Sequence, residues 1–450
     1  MPTIDVGSLL DAGRWSRYQK LLVAATAGAI VLDGFDNQLI GVAVVPLMNE
    51  WDAPRAAFAP VLAAGMIGMM VGGAVGGWLG DRCGRRVALL ASVATFGALT
   101  ALVPLVDGPL TLGVLRFFVG LGLGGAMPNS AALAAEYVPA RHRPFAVTLT
   151  IVCIPIGGAL AGLVGAQVLP EFGWRTLFLV GGIVPLGLAA ALWKTLPESP
   201  RYLARHPERW PELAQLLRRL HCEVPRDVAF VDATEKAVAR ASPRELLSPE
   251  FRRETLALSA SFFFCLLAVY VGVNWVPSML AGAGFDVGMA GNGLAAFNLG
   301  GVAGALLGAA LIRRAGSRTS MLAMSAGAVA GAATLAVMPL DTRSAFIVLG
   351  LLAWTGGLIN GVQVTMFALA AHAYPTGIRA TGVGTAVAVG RIGGVLSTYA
   401  GSWTLESGGP SRLFALVAAA MAVVVVALAS VRRHIPRVAD RDLGYRRSHF

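Results

Sequence analysis

Twelve apolar runs constrain this chain more than any other feature. They lie at about 18–47, 57–79, 87–106, 109–137, 144–168, 174–194, 254–281, 289–312, 319–339, 343–372, 378–404 and 410–431. Each reaches or exceeds the roughly 20 residues that an α-helix needs to cross ~30 Å of hydrocarbon. The sparse charge agrees: 14% of residues are charged, against about 25% in a soluble domain. The expected fold is an all-α membrane protein with twelve transmembrane helices.

Charge placement orients the chain. With both termini on the cytoplasmic side, thirty of the 36 Lys and Arg residues fall in cytoplasmic segments. Arg55, Arg175, Arg343 and Arg412 face the other side, and Arg116 and Arg391 lie within spans. This is the positive-inside asymmetry of a multi-pass protein of the bacterial inner membrane. The net charge of +11 is thereby explained, and no nucleic-acid partner is called for. The N-terminus MPTIDVGSLLDAG lacks the basic start and short apolar core of a signal peptide. Cys83 and Cys222 fall in cytoplasmic loops, and Cys153 and Cys265 in spans; a reducing cytosol argues against a structural disulfide. The six histidines show no metal-ligand spacing, so neither a metal nor a cofactor is expected.

Hydropathy collapses between Trp193 and Thr255, a stretch with twelve basic and ten acidic residues. It divides the chain into an N-terminal six-helix bundle (1–194), a cytoplasmic central loop (195–253) and a C-terminal six-helix bundle with a cytoplasmic tail (254–450). Residues 211–220 read either as a short amphipathic helix on the inner membrane surface or as a solvated linker. The halves echo each other. IPIGGAL (Ile154–Leu160) aligns with GRIGGVL (Gly390–Leu396) at an offset of 236, which also pairs Pro139 with Pro375, Arg143 with Arg379 and Glu136 with His372. An offset of 232 aligns GWLGDRCGRR (Gly77–Arg86) with the segment from Ala309. Two bundles related by an axis along the membrane normal, with a binding site near the midplane between them, are the expected consequence.

GWLGDRCGRR follows the second span and has the form G-x-L-x-D-R-x-G-R-R. It resembles the signature loop of the major facilitator superfamily, a fold of two six-helix bundles that works by alternating access. Gly77 would allow close helix packing. Asp81 could pair with a basic group or cap a helix of the other half, while Arg82, Arg85 and Arg86 anchor the inner face. Gly84 belongs to the same gating loop. In the second copy Arg313 stands where the aspartate would be. LPESPRYL (Leu196–Leu203) after the sixth span is familiar from sugar and organic-ion porters of that superfamily. The GLGLGG of the fourth span has the spacing of a dinucleotide fingerprint, but no strand precedes it. Small residues for helix contact explain it better.

Asp33 and Asp36 sit in the middle of the first span, in IVLDGFDNQLIGV. A carboxylate at membrane depth costs about 3 kcal/mol on insertion scales. Two of them three residues apart share one helical face, which suggests the proton-handling wall of an aqueous cavity. Together DGFD, RFFVGLGLGGAMPN (Arg116–Asn129) and YPTGIRATGVGTAVAVGRIGG (Tyr374–Gly394) resemble the aromatic acid:proton symporter family, along nearly the whole chain. The resemblance implies import of benzoate-, 4-hydroxybenzoate- or protocatechuate-type anions with protons. It assigns importance to Asp33, Asp36, Asp81, Arg116, Glu136, Arg379 and Arg391, with Asp33, Asp36 and Glu136 as candidates for proton coupling and Arg116 and Arg391 as candidate substrate ligands.

Counting 1.5 Å per residue from the inner ends places Asp33 level with Arg391, and Asp36 level with Arg116, to about a helical turn. Membrane charges usually face a cavity and pair. An aromatic carboxylate would dock on Arg391 and displace an aspartate, which would then take up a proton beside the new anion. The alternative is a static clamp between helices. Phe35, Tyr270, Trp275, Trp354, Phe367 and Tyr399 could contact a ring, although aromatics more often simply fill bundle interfaces; Asn274, Asn298 and Gln363 could hold a ring hydroxyl or equally bond a neighbouring helix. His372 could assist proton release at the inner face. The expected partners are a small aromatic carboxylate, protons and the lipid bilayer, with the protein acting as a monomer. Two rivals remain: a porter of another organic anion or a sugar, and a transporter-like chemoreceptor. No nucleophile or cofactor constellation points to an enzyme.

Overall fold

The computed structural model describes residues 3–13, 15–220, 228–232 and 243–437. Cys222 lies outside them. Their long helices are α2 (Arg17–Trp51), α3 (Phe58–Cys83), α4 (Arg85–Leu102), α5 (Pro109–Tyr137), α6 (Arg143–Thr195), α9 (Arg252–Gly282), α10 (Val287–Val337), α11 (Ala345–Ala373) and α12 (Thr376–Ser430). Nine helices among the described residues are long and apolar enough to cross a membrane. Three of them, α6, α10 and α12, are each two spans joined at a break: at Gly173, Gly316 and Gly408–Gly409. That gives the twelve spans. Gly173 has φ 73°, a backbone conformation that side chains with a Cβ avoid, so the chain reverses there without a loop.

The two halves use the same packing. In the first, α3 packs on α5 and α2 on α6; in the second, α10 packs on α11 and α9 on α12. Small residues make these contacts close, as expected where lipid removes the hydrophobic drive between helices. Gly68, Gly72 and Gly76 of α3 face Phe117, Leu121 and Gly125 of α5, with no room for a Cβ. Gly300 and Gly304 of α10 meet Ala353 and Gly357 of α11 in the same way. Gly77 is a correction: a Cβ there would meet open space, and its neighbours Gly76 and Gly80 carry the close packing instead.

The halves join on the side away from the chain termini. Gly162 of α6 lies against Gly291 of α10, and Gly41 of α2 against Val273 and Asn274 of α9. The Arg55 side chain donates to the Ser278 hydroxyl at 3.0 Å. A cavity between the halves lies beneath this seal.

On the termini side, a small separate core was not legible in the sequence. Strand β1 (Thr3–Asp5) pairs in parallel with β2 (Ala229–Val231). Around them pack α1 (Val6–Ala12), α7 (Pro200–Ala204) and α8 (Trp210–Arg219). Val6, Leu10, Leu203, Leu213, Leu217 and Phe230 are buried together. The amphipathic helix is therefore real, but its apolar face fills this core rather than lying on the membrane.

Candidate functional site

The cavity between the halves has a volume of about 150 Å³ and is lined from seven helices, with Leu123 and Met127 of α5 among the apolar residues. Asp33 and Asn37 come from α2, Met66 and Met69 from α3, Tyr270 from α9, Phe367 from α11 and Arg391 from α12. Ile151 and Ile154 of α6 complete the apolar wall. One acid and one base thus face a mostly apolar chamber from opposite halves, with Asn37 and Gln363 as its other polar side chains besides the Tyr270 phenol.

Asp33 is 4% exposed, and its Oδ1 has no hydrogen-bond partner. Arg391 reaches across to the first half, where its Nη1 donates to the Met69 carbonyl at 3.3 Å. Gly73 makes that seat: a Cβ there would stand 3.0 Å from Nη1. The expected Asp33–Arg391 ion pair is not formed among the described residues. Counting rise per residue fixes depth but not the direction in which a side chain leaves its helix. The two groups are level, and the cavity lies between them.

Asp36 takes a different environment. Its Oδ1 accepts from Arg116 Nη1 at 2.8 Å, and both side chains are buried. Arg116 Nη2 also reaches the Asp36 carbonyl at 3.5 Å, and the Thr100 hydroxyl donates to Oδ2. These contacts tie α2, α4 and α5 together inside the first half. Neither Asp36 nor Arg116 lines the cavity, so the placement of Arg116 as a substrate ligand is corrected: its guanidinium is spent on Asp36.

Three more expected ligands lie elsewhere. Phe35 is buried against α6 near Gly181. Trp354 is 57% exposed on the outer surface of the second half, where Nε1 donates to the Gly327 carbonyl at 3.2 Å. Asn274 packs by its backbone against Gly41 at the seal. Of the other aromatics, Trp275 is buried against Gly401 and Tyr399 faces outward, while Tyr270 and Phe367 do line the cavity.

On the termini side the two motifs meet. Gly84, with φ 104°, separates α3 from α4. The Glu198 carboxylate of the LPESPRYL segment fits against it and accepts from the backbone N–H of Arg86 at 2.9 Å and of Ser199 at 2.8 Å. Glu198 thereby caps the N-terminus of α4, where N–H groups lack helical partners. Burial pushes its carboxyl above the usual range, and the two N–H donors pull it partly back. Glu136 lies alongside, accepting from the Ser199 hydroxyl. Asp81 pairs with Arg85 one turn on, in the same half. Arg82 lies over the Trp78 ring at 5.4 Å, Arg379 Nε reaches the Tyr374 carbonyl at 3.4 Å, and His372 is exposed. No ion pair joins Asp81 to the second half among the described residues. The docking of Glu198 was not legible in the sequence, because the helix that it caps begins more than a hundred residues earlier.

A guanidinium and a carboxyl across a mostly apolar chamber can hold an anion and a proton. The Major Facilitator Superfamily profile matches residues 26–398. The gallate transporter of Pseudomonas putida is 34% identical, over 95% of this chain and 96% of its own length. The 4-hydroxybenzoate transporter PcaK of the same organism is 31% identical, over 95% and 97%. Among solved structures, the inward-open xylose transporter XylE of E. coli superposes with a TM-score of 0.71 at 18% identity, over 92% of this chain and 96% of XylE. The chain is a multi-pass transporter rather than an enzyme; it belongs to the Major Facilitator Superfamily and groups there with carriers of aromatic acids.

Proposed function

We propose that this protein imports aromatic carboxylates together with protons by alternating access. The observation that carries the reading is the pairing across the cavity: Arg391 from the second half faces Asp33 from the first, and one Asp33 oxygen is unpartnered. A benzoate-type carboxylate docks bidentately on the Arg391 guanidinium, whose planar fork matches it. Its ring lies along Tyr270, Phe367 and the isoleucines. A second anion beside a buried Asp33 favours the protonated acid, so anion and proton load together and leave together. Glucose-like neutral solutes would leave the Arg391 charge uncompensated, which disfavours a sugar porter.

The supporting roles divide by place. Asp36 and Arg116 clamp the first half. Asp81, Arg82, Gly84, Arg85 and Arg379 govern opening on the cytoplasmic side, with Glu136 as a relay to the exit. Both termini face the cytoplasm of a bacterial cell, the membrane is its inner membrane, and one chain suffices for transport.

Ligand binding tests the first step. Wild-type protein should be stabilised against heat by benzoate or 4-hydroxybenzoate and not by xylose, and Arg391→Gln should lose that stabilisation. Equal stabilisation of Arg391→Gln would remove Arg391 as the carboxylate ligand.

A further inference from the structure

A second chamber of about 80 Å³ adjoins the Asp33–Arg391 cavity, sharing Asn37, Ile151, Ile154, Tyr270 and Gln363 as a common wall. It lies towards the seal, where Val273 and Asn298 line it. Its lining contains no charged side chain but five carboxamides: Asn37, Gln38, Asn298, Asn360 and Gln363. Each carboxamide carries two donors and an oxygen that accepts, and a membrane interior offers few partners for them.

The hydrogen bonds of these amides separate them into two groups. Gln38 and Asn298 satisfy each other, at 3.2 and 2.8 Å, and Asn298 also donates to the Leu294 carbonyl at 2.9 Å. They bridge α2 and α10 and form the roof. Asn360 donates to the Gly356 carbonyl at 2.8 Å, which leaves its oxygen as an acceptor. Gln363 makes no hydrogen bond to another residue among the described residues, and Asn37 faces the Tyr270 hydroxyl. Donors and acceptors therefore remain both on the wall shared with the Arg391 cavity, at Gln363, and in the chamber behind it, at Asn360.

We propose that this chamber is a hydroxyl-reading subsite and that Asn360 and Gln363 set its specificity. The proposal rests on the placement of the substrate carboxylate at Arg391. A phenolic hydroxyl both donates and accepts, so the Asn360 oxygen and the Gln363 amide can hold it from two sides. The class selected is an aromatic monocarboxylate with a hydroxyl at the end of the ring remote from the carboxylate. An alkyl group there leaves the amides unpaired. A second carboxylate would be buried with no cation in the chamber, and is rejected for that reason.

The test is equilibrium binding to purified full-length protein of four ligands: benzoate, 4-hydroxybenzoate, 4-methylbenzoate and benzene-1,4-dicarboxylate. The methyl compound matches the hydroxyl in size but cannot hydrogen-bond. Two net hydrogen bonds correspond to roughly tenfold or more in affinity, so 4-hydroxybenzoate should bind at least about tenfold more tightly than 4-methylbenzoate. The dicarboxylate should bind weakest. Gln363→Leu and Asn360→Leu should each narrow the hydroxyl-to-methyl ratio about three- to tenfold. Comparable wild-type affinities for the hydroxyl and methyl compounds would overturn the subsite, with no variant needed. So would a ratio that survives both substitutions. Failure to bind any of the four would instead overturn the Arg391 placement, and the subsite with it.

Discussion

Replacing Asp36 by Asn should damage stability far more than the same change at Asp33, although the two acids are three residues apart. Asp36 forms a 2.8 Å ion pair with Arg116, with both side chains buried, and accepts also from Thr100. Asparagine retains a partner for Thr100 but leaves a buried guanidinium without its counter-charge. Removing one member of a buried pair costs ~3–5 kcal/mol, which for a unit of about 200 residues is a fall on the order of 10 °C in Tm. Asp33 makes no ion pair among the described residues and has an oxygen without a partner. Its replacement by a neutral amide should cost no more than about 1 kcal/mol. Exchanging both members of the first pair, Asp36→Asn with Arg116→Met, should recover most of the loss, because no unpaired charge then remains. Thermal unfolding of the purified variants in one detergent reads all three. The reasoning fails if Asp36→Asn unfolds within a degree or two of wild type. It also fails if Arg116→Met deepens the loss instead of relieving it.

Other perturbations probe the remaining contacts. In the folded protein Glu198 keeps its proton to higher pH than an unfolded chain would. Folding therefore takes up a proton in the window just above the usual carboxylate range, and stability falls as pH rises through that window. Glu198→Gln, whose oxygen can still cap α4, should flatten this dependence in unfolding scans between about pH 4.5 and 7; an unchanged slope would assign it to other groups. Gly84→Ala should cost about 1–3 kcal/mol, from the strained φ and the Glu198 carboxylate against it. Trp354→Leu, on the lipid-facing surface, should change stability by no more than about 0.5 kcal/mol and leave uptake intact, whereas a ring ligand could not be lost so cheaply.

Features that depend on one dimension of the chain were legible in the sequence. Run length gave the twelve spans, and rise per residue put Asp36 beside Arg116. Features that depend on which way a side chain leaves its helix were not. α11 is apolar over most of its surface, with its few polar residues too sparse to mark one face, so periodicity cannot tell its lipid face from its cavity face. Trp354 on that helix turns outward while Gln363 and Phe367 turn in. Gly77 looked like the packing glycine of its motif, yet one residue away Gly76 has the neighbour. The small core on the termini side joins Thr3–Asp5 to Ala229–Val231. Strands of three residues carry too little pattern to be seen, and their pairing spans half the chain. The docking of Glu198 on α4 likewise joins two motifs more than a hundred residues apart.

Transport in proteoliposomes tests the central claim most directly. Wild-type protein should accumulate labelled 4-hydroxybenzoate against its gradient when an inward proton gradient is imposed, and should stop when the gradient is collapsed. Asp33→Asn should still exchange internal for external substrate, because Arg391 still binds the carboxylate, but should no longer accumulate it in response to the gradient. Full proton-driven accumulation by Asp33→Asn would contradict the account, because the proton would then travel by another group.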